Sequence, residues 1–253
     1  MTYLPGPAFY DEDEIFATYW ASRTRPDNPN DTLEQPVLRD LAGELRGRRI
    51  LDLGCGAATF GVFALAEGAA TYLGVDASQR MVAAAQAALA DTPGRVIQAS
   101  FETWDYPAAA FDLVVSSLAL HYVADLDAVM AGIARTLVPG GRVVFSVEHP
   151  IITSCARGWT QPQRQDWVVD DYFVTGPRQT SWLGGEVVRY HRTVEAYVTA
   201  LQAAGFALDS LRESRPERER FSDEAEYTRR LRIPLFLFLA GHTPEAPDFA
   251  ARS

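Results

Sequence analysis

Short apolar runs alternate with helical patterns through the middle of the chain. The runs are rich in Val, Ile and Leu and end at turn residues, which predicts buried strands. They lie at residues 49–53, 71–75, 95–99, 111–117 and 142–147, followed nearer the C-terminus by 206–211 and 232–239. Between them, apolar residues recur at helical spacing over 60–67, 78–89, 126–137 and 194–204. This alternation predicts βαβ units, and therefore a mostly parallel sheet with right-handed crossovers.

Two segments depart from this alternation. Residues 1–46 begin with a stretch rich in Pro, Asp, Tyr and Trp, which predicts a short helix over 12–22. Asp31, three residues before Glu34, resembles a capping box that opens a second helix running to about residue 46. Residues 149–192 carry three of the five tryptophans without a clear period, which predicts a cap packed over a pocket.

The domain organisation follows from what is absent between these segments. No internal repeat or low-complexity linker divides the chain, so residues 1–253 are predicted to form one domain. The tail from Thr243 is predicted to fray at the end of that domain.

The charge composition excludes several chemistries. All 23 basic residues are arginines, so a lysine Schiff base and a phosphate-loop lysine are both ruled out. The formal net charge of −10 disfavours binding to a nucleic acid or an anionic membrane. The densest arginine cluster, at 215–220, is interleaved with glutamates, which is typical of a solvated charge run.

The low cysteine content and the absence of recognisable targeting signals predict a cytoplasmic protein. The chain holds Cys55 and Cys155 and no CxxC pair, which gives neither a disulfide framework nor a zinc motif. The N-terminus lacks the basic and apolar regions of a signal peptide, and no apolar run approaches the ~20 residues of a membrane span. No metal site is expected, because no His, Asp or Glu pair has metal-ligand spacing.

A glycine turn follows the first predicted strand, in the stretch from Asp52 to Ala58 (DLGCGAA), and three interpretations compete for it. A phosphate-binding loop would need the missing lysine, and a dinucleotide fingerprint would need glycine where Thr59 stands. An acid before the turn, and a second acid, Asp76, ending the next strand, favour a cationic ligand that carries a sugar. Asp76 is placed to accept two ribose hydroxyls at the carboxyl edge of the sheet.

Four stretches then carry a family resemblance. They are ILDLGCGAATFG (50–61), GVDASQRM (74–81), FDLVVSSLALHYV (111–123) and LVPGGRVVFSVEHP (137–150). In this order and spacing the sequence resembles the class I S-adenosylmethionine-dependent methyltransferases over about residues 45–150, with the strand pattern extending towards residue 240. The resemblance implies a doubly wound, mostly parallel, Rossmann-like sheet of seven strands whose last strand is antiparallel. It also implies S-adenosylmethionine as cofactor.

The resemblance implies cofactor contacts from Asp52, Gly54, Cys55 and Gly56 in the turn, from Asp76 at the ribose and from Met81 at the adenine. The further expected cofactor-binding residues are Ala77, Ser100, Phe101, Ser117 and Arg23. Two positions depart from the family's pattern. Ala58 replaces the third glycine of the turn, and Ser100-Phe101 stands where the family often has an aspartate for the adenine amino group.

Methyl transfer from a sulfonium is an in-line displacement, so the enzyme mainly aligns its substrates, and a base is needed only where the acceptor must lose a proton. His121 and His149 lie near the carboxyl ends of the fourth and fifth strands and are the candidate catalytic residues, each equally readable as a packing residue. The family's N-terminal segment usually covers the cofactor, so residues 1–46 are predicted to form a helical lid. Tyr19, Trp20 and Arg23 would then face the site, with Tyr19 the third catalytic candidate.

The expected function is therefore methylation of an N or O atom of a small molecule, such as a specialised metabolite, enclosed by the lid and the insertion. Two alternatives stay open: an RNA-nucleoside methyltransferase, and a non-methylating protein on the same fold. The acceptor identity, the need for a base and homo-oligomer formation stay open as well.

Overall fold

The central part of the fold is built from β-strands. The computed structural model describes residues 6–160 and 166–245. Its strands are β1 (Arg49–Leu53), β2 (Thr71–Asp76), β3 (Arg95–Gln98), β4 (Phe111–Ser117), β5 (Leu137–Glu148), β6 (Trp159–Thr160), β7 (Asp166–Trp167), β8 (Gly176–Trp182), β9 (Gly185–His191), β10 (Ala207–Glu213) and β11 (Phe236–His242). The predicted strands 49–53 and 111–117 match β1 and β4 at both ends, and the others differ from prediction by a few residues.

Helices connect these strands. They are α1 (Gly6–Tyr10), α2 (Asp13–Arg23), α3 (Gln35–Ala42), α4 (Thr59–Ala66), α5 (Gln79–Ala88), α6 (Leu126–Thr136), α7 (Pro150–Thr153), α8 (Val194–Ala203) and α9 (Glu224–Arg230). A π-helical turn (Asn30–Glu34) precedes α3, and 3-10 turns lie at Leu120–Tyr122 and Arg218–Arg220. No helix within the described ranges is both long and apolar enough to cross a membrane.

Seven strands form one sheet in the order β10-β11-β5-β4-β1-β2-β3. The inner strands pair in parallel, whereas β11 runs antiparallel to both β5 and β10. The predicted doubly wound, mostly parallel sheet with an antiparallel last strand is confirmed.

The two faces of the sheet carry separate apolar cores, because successive side chains of a strand point to opposite faces. On one face Leu51 and Leu53 pack with α6 and α8, while on the other Ile50 packs with α3, α4 and α5. This burial on both faces explains why the strand sequences are continuous apolar runs.

One helix start is confirmed and another is wrong. The hydroxyl of Ser78 accepts a hydrogen bond from the Met81 amide at 3.2 Å, as expected of an N-cap. Asp31 caps no helix, because its carboxylate is bound by Arg23 and Asn28. Glu34, the other half of the expected capping box, is instead fully buried beneath the sheet edge.

The predicted insertion contains a β-hairpin that the sequence did not indicate. Strands β8 and β9 pair in antiparallel fashion across Leu183 and Gly184, which both have positive φ (51° and 88°). That conformation gives the tight turn of a hairpin, and leucine is unusual in it. The hairpin packs on the N-terminal segment (residues 6–42), where Phe9, Ile15 and Val187 form a small third core. Residues 161–165 of the insertion and 246–253 of the tail lie outside the described ranges.

Candidate active site

One large cavity of about 870 Å³ opens at the carboxyl ends of β1, β2, β4 and β5. This edge is where open α/β sheets bind their ligands. The cavity is lined by most of the residues predicted from the sequence: Gly54, Cys55, Gly56, Asp76, Ala77, Met81, Ser100, Phe101, Ser117, Arg23, Tyr19 and His121. Three predicted residues, Trp20, Asp52 and His149, do not line it, and Trp20 is exposed at the surface instead.

The glycine turn after β1 presents its backbone to the cavity. Gly54 and Gly56 both have positive φ, at 69° and 52°. A Cβ on Gly54 would lie 2.3 Å from the Cβ of Ala119, so packing as well as φ requires glycine there. A Cβ on Gly56 would meet no atom within 4 Å. Gly56 therefore borders free space that a ligand can fill.

Ala58, the departure from the family's third glycine, adopts the left-handed conformation with φ 57° and is fully buried. A side chain in this conformation is strained, and Ala carries the smallest one. The replacement keeps the turn and allows α4 to start directly afterwards, at Thr59.

Asp76 is fixed by two backbone amides. Its Oδ2 accepts a hydrogen bond from the amide of Gly56 at 2.8 Å, and Oδ1 accepts one from the amide of Ser78 at 2.9 Å. Burial raises the pKa of Asp76, and these amide bonds oppose that shift. The carboxylate thus joins the glycine turn to the start of α5 and faces the cavity with its remaining lone pairs.

Asp52 lies behind the turn rather than in the cavity. Its Oδ2 accepts a hydrogen bond from the Tyr72 hydroxyl at 2.7 Å, and Oδ1 is buried without a partner. Burial raises the pKa of Asp52 to about 7, and the Tyr72 hydrogen bond works against this shift. The expected direct contact is replaced by a buried acid beneath the backbone of the turn.

The histidine ring of His121 is a hydrogen-bond donor. The ring is buried, and its Nδ1 accepts a hydrogen bond from the Glu148 amide at 3.4 Å, which leaves the proton on Nε2. Burial, reinforced by the charges of Arg189 and Arg192, holds the pKa of His121 well below its ordinary value. A neutral ring protonated on Nε2 has no free lone pair with which to accept a proton.

His149, one of the predicted catalytic residues, does not line the cavity. Its Nδ1 caps α7 by accepting from the amide of Ile151 at 3.2 Å, and Nε2 lies 2.9 Å from Oε1 of Glu213. Both ring nitrogens are therefore engaged in holding the end of β5.

The sequence prediction missed an ion pair in the cavity wall. Glu148, the last residue of β5, and Arg189, on β9, both line the cavity. Arg189 Nη1 lies 2.9 Å from Oε2 of Glu148, and the side chains are only 5% and 14% exposed, respectively. Successive side chains at the end of β5 point to opposite faces, so Glu148 and His149 face opposite ways. The sequence does not indicate which of the two faces the cavity.

The N-terminal segment is tied to the start of α5. Oδ1 of Asp11 accepts hydrogen bonds from the Ser78 hydroxyl at 2.6 Å and from the Arg80 amide at 3.1 Å. This contact places Tyr10 and Tyr19 in the cavity wall. Burial raises the pKa of both phenols, so both are protonated at neutral pH.

Arg23 extends the same wall. Its guanidinium binds Oδ1 of Asn28 at 3.0 Å and Oδ1 of Asp31 at 2.8 Å. It therefore reaches the cavity with part of its charge already neutralised. Within the described ranges, no group of three or more His, Cys, Asp or Glu residues is placed to hold a metal ion.

A seven-stranded sheet of this order, with a glycine turn and an acid at the ends of neighbouring strands, defines the Rossmann-like methyltransferase fold. Residues 51–145 match the family model described as a methyltransferase domain. A solved S-adenosylmethionine-dependent methyltransferase from Mesorhizobium loti is 41% identical, with 83% of this chain and 97% of that chain covered and a TM-score of 0.78. A solved putative one from Listeria monocytogenes is 32% identical, with 83% and 96% covered and a TM-score of 0.76. The chain belongs to the S-adenosylmethionine-dependent methyltransferases.

Curated relatives extend this comparison. An uncharacterized protein from Haemophilus influenzae is 30% identical over 215 residues, which cover 81% of this chain and 85% of that protein. Nocamycin O-methyltransferase from Saccharothrix syringae is 33% identical over 187 residues, which cover 68% of this chain and 65% of that enzyme. The protein is accordingly an enzyme, with S-adenosylmethionine as its cofactor.

Proposed function

We propose that the enzyme transfers the methyl group of S-adenosylmethionine to an oxygen or nitrogen atom of a small molecule. The observation that carries this proposal is the shape of the cavity. It continues from Gly56 and Asp76 to the Glu148–Arg189 pair, beneath the N-terminal segment on one side and the β8–β9 hairpin on the other. A covered cavity of about 870 Å³ suits two small ligands side by side rather than a folded macromolecule.

The cofactor half of the cavity fits S-adenosylmethionine. The open space at Gly56 accommodates the aminoacyl end against the backbone of the turn. Asp76 would accept hydrogen bonds from the ribose hydroxyls, while Met81 and Phe101 would pack against the adenine and Ser100 would bind its edge. The negative charges of Asp76 and, behind the turn, of Asp52 in its ionised form favour a positively charged ligand.

The acceptor half lies towards β4, β5 and the hairpin. When bound, the cofactor supplies an electrophilic methyl group. The protein's own contribution is to orient the acceptor atom, exclude water and remove a proton where the acceptor is a hydroxyl. The neutral His121 ring and the protonated Tyr19 serve as hydrogen-bond donors in this arrangement, and the N-terminal segment acts as the lid of a single methyltransferase domain.

Oxygen is the favoured acceptor atom. Nocamycin O-methyltransferase aligns with 68% of this chain, and ubiquinone biosynthesis O-methyltransferase from Thiobacillus denitrificans aligns with 42% at 34% identity. The formal charge of −10 argues against a polynucleotide acceptor.

The test is a turnover assay with separated acceptor pools. Wild-type enzyme and S-adenosylmethionine are incubated with a low-molecular-mass metabolite extract or with total tRNA, and S-adenosylhomocysteine is quantified by chromatography. We expect product with the metabolite extract only. Turnover confined to tRNA would replace the proposal by RNA methylation, and tight cofactor binding without turnover on either pool would favour a non-methylating protein.

A further inference from the structure

The Glu148–Arg189 pair is costly to bury. The free energy needed to remove two charges from water usually equals or exceeds the free energy gained from their attraction. A buried ion pair is therefore weak evidence that its role is to stabilise the fold. Here the pair lies in the wall of the acceptor half of the cavity, and the backbone amide of Glu148 also binds His121. An expensive polar pair at a binding surface indicates recognition of a ligand.

The hydrogen bonding of both members of the pair is incomplete. Oε2 of Glu148 is buried and, although close to the guanidinium, makes no hydrogen bond of good geometry. Nε of Arg189 is likewise buried without a hydrogen-bond partner. Both groups line the cavity, so a ligand that donates a hydrogen bond to the carboxylate and accepts one from the guanidinium would complete the hydrogen bonding of the pair.

The balance of charge selects a neutral ligand. An anion that approaches Arg189 also meets the carboxylate of Glu148, and a cation at Glu148 meets the guanidinium. Either charge would be repelled by one member of a pair whose side chains are 5% and 14% exposed, where solvent screens little. A neutral group with an adjacent donor and acceptor meets no such penalty.

The surrounding walls are aromatic. The Arg189 guanidinium lies 5.9 Å from the ring centre of Tyr122 and 5.0 Å from that of Trp182. The hydroxyls of Tyr10 and Tyr122 are 3.2 Å apart, and the Tyr10 and Tyr122 rings meet edge to face. Such walls match the faces and edges of a flat ring.

We propose that the acceptor is a neutral aromatic ring with two neighbouring oxygen groups, a hydroxyl that donates to Glu148 and a second oxygen that accepts from Arg189. This rests on the proposed function and names its substrate class. The hydroxyl oxygen forms the new bond to the methyl carbon, the carbon–sulfur bond breaks with its electron pair on sulfur, and the hydroxyl proton passes to Glu148. The neutral methyl ether and S-adenosylhomocysteine leave, and Glu148 releases its proton to water.

The histidine and the tyrosines of the cavity wall are poorly suited to accept the proton. His121 uses Nδ1 to accept from the Glu148 amide and carries its proton on Nε2. Tyr10 and Tyr19 are protonated phenols because burial opposes their ionisation. Glu148 is the carboxylate that faces the acceptor half of the cavity directly from the end of β5.

The first experiment compares ring compounds by titration against the enzyme saturated with S-adenosylhomocysteine. Catechol and hydroquinone carry the same two hydroxyls in adjacent and opposite positions, and 4-hydroxybenzoate and tyramine add a charge of either sign. We expect catechol to bind about 10-fold more tightly than hydroquinone, the value of one hydrogen bond. Equal binding of the isomers, preference for a charged ring, or no binding by any of the four overturns the proposed class. Turnover on the metabolite extract still tests the proposed function separately.

The second experiment uses variants of the pair. Glu148→Gln keeps the shape but loses the base, so turnover of catechol should fall about 100-fold with S-adenosylmethionine affinity unchanged. The loss should shrink with 4-nitrocatechol, whose hydroxyl ionises more readily. Equal losses for both acceptors would show that Glu148 is merely structural.

Two further variants control for folding. The double variant Glu148→Leu with Arg189→Met removes the pair without leaving a buried charge, so it should keep the wild-type melting temperature and cofactor affinity while losing catechol binding. Glu186→Gln, on the same strand β9, changes a carboxylate that pairs with Ser181 outside the cavity and should behave as wild type. Retained catechol binding in the double variant would overturn the proposal.

Discussion

The hydroxyl of Tyr72 donates a hydrogen bond of 2.7 Å to Oδ2 of Asp52, directly beneath the glycine turn. This bond lowers the pKa of Asp52, yet burial dominates and brings it to about 7. Asp52 therefore changes its charge near neutral pH, below a turn that we propose to hold a cation.

Asp52→Asn should stabilise the enzyme in the absence of cofactor, and more so at higher pH. In the unfolded chain an aspartate titrates near pH 3.9, whereas folded Asp52 keeps its proton up to about pH 7. Stability from this group therefore falls as pH rises through that window, and the asparagine variant escapes the loss. We expect a gain of about 4 kcal/mol at pH 8, since about three pKa units separate the two states, and of about 1 kcal/mol at pH 4.5. Urea unfolding at both pH values, with the exposed Asp91→Asn as control, measures it, and a gain independent of pH would contradict the assignment.

Alanine at the two glycines of the turn should separate folding from binding. Gly54→Ala places a methyl group 2.3 Å from the Cβ of Ala119. The free energy of unfolding should therefore fall by several kcal/mol, which a thermal melt records as a lower melting temperature. Gly56→Ala meets no protein atom within 4 Å, so only backbone strain of about 1 kcal/mol applies. Its larger effect should be on S-adenosylmethionine affinity, measured by titration. A Gly56 variant with normal affinity would show that the ligand does not approach this backbone.

Asp76→Ala should weaken cofactor binding by about 1–3 kcal/mol, through loss of the hydrogen bonds that we assign to the ribose. Because Asp76 also binds the amides of Gly56 and Ser78, unfolding must be measured beside affinity. Asp91→Ala, an exposed acid near the end of the following helix, is the matched control. Unchanged affinity for S-adenosylmethionine in a folded Asp76 variant would remove this residue from the site.

Asp11→Ala should loosen the N-terminal segment without unfolding the sheet. The substitution removes two hydrogen bonds to the start of α5, from Ser78 and Arg80. Amides of α2 should exchange with deuterium about 10-fold faster, because the free energy of opening falls by the contribution of one or two such hydrogen bonds. Glu14→Ala, an exposed change on α2, should leave exchange unaltered. Equal protection in the Asp11 variant would mean that the segment is held elsewhere.

The sheet was predictable because buried parallel strands must be continuous apolar runs, and β4 shows this most plainly by matching at both ends. The cofactor half was predictable for a related reason, since the turn and Asp76 follow strands whose order fixes where they meet. Asp52 was misplaced because the direction of a carboxylate depends on its partner, Tyr72, which the pattern of the turn does not specify.

The acceptor half was far less predictable. Glu148 and His149 are adjacent in the sequence, and either side chain could act on an acceptor. Only the three-dimensional packing shows that Glu148 is the one that lines the cavity. Arg189 lies on a hairpin whose turn carries Leu183 rather than the asparagine or aspartate that marks such turns in a sequence. Sites assembled from distant segments leave no local signature of this kind.

The small core of Phe9, Ile15 and Val187 joins the N-terminal segment to the β8–β9 hairpin. Because Gly185 lets Phe9 and Ile15 approach the hairpin backbone closely, parting the two elements would expose this apolar cluster to water. The lid that we propose is consequently coupled to the hairpin, so one movement would uncover the cofactor half and the acceptor half of the cavity together.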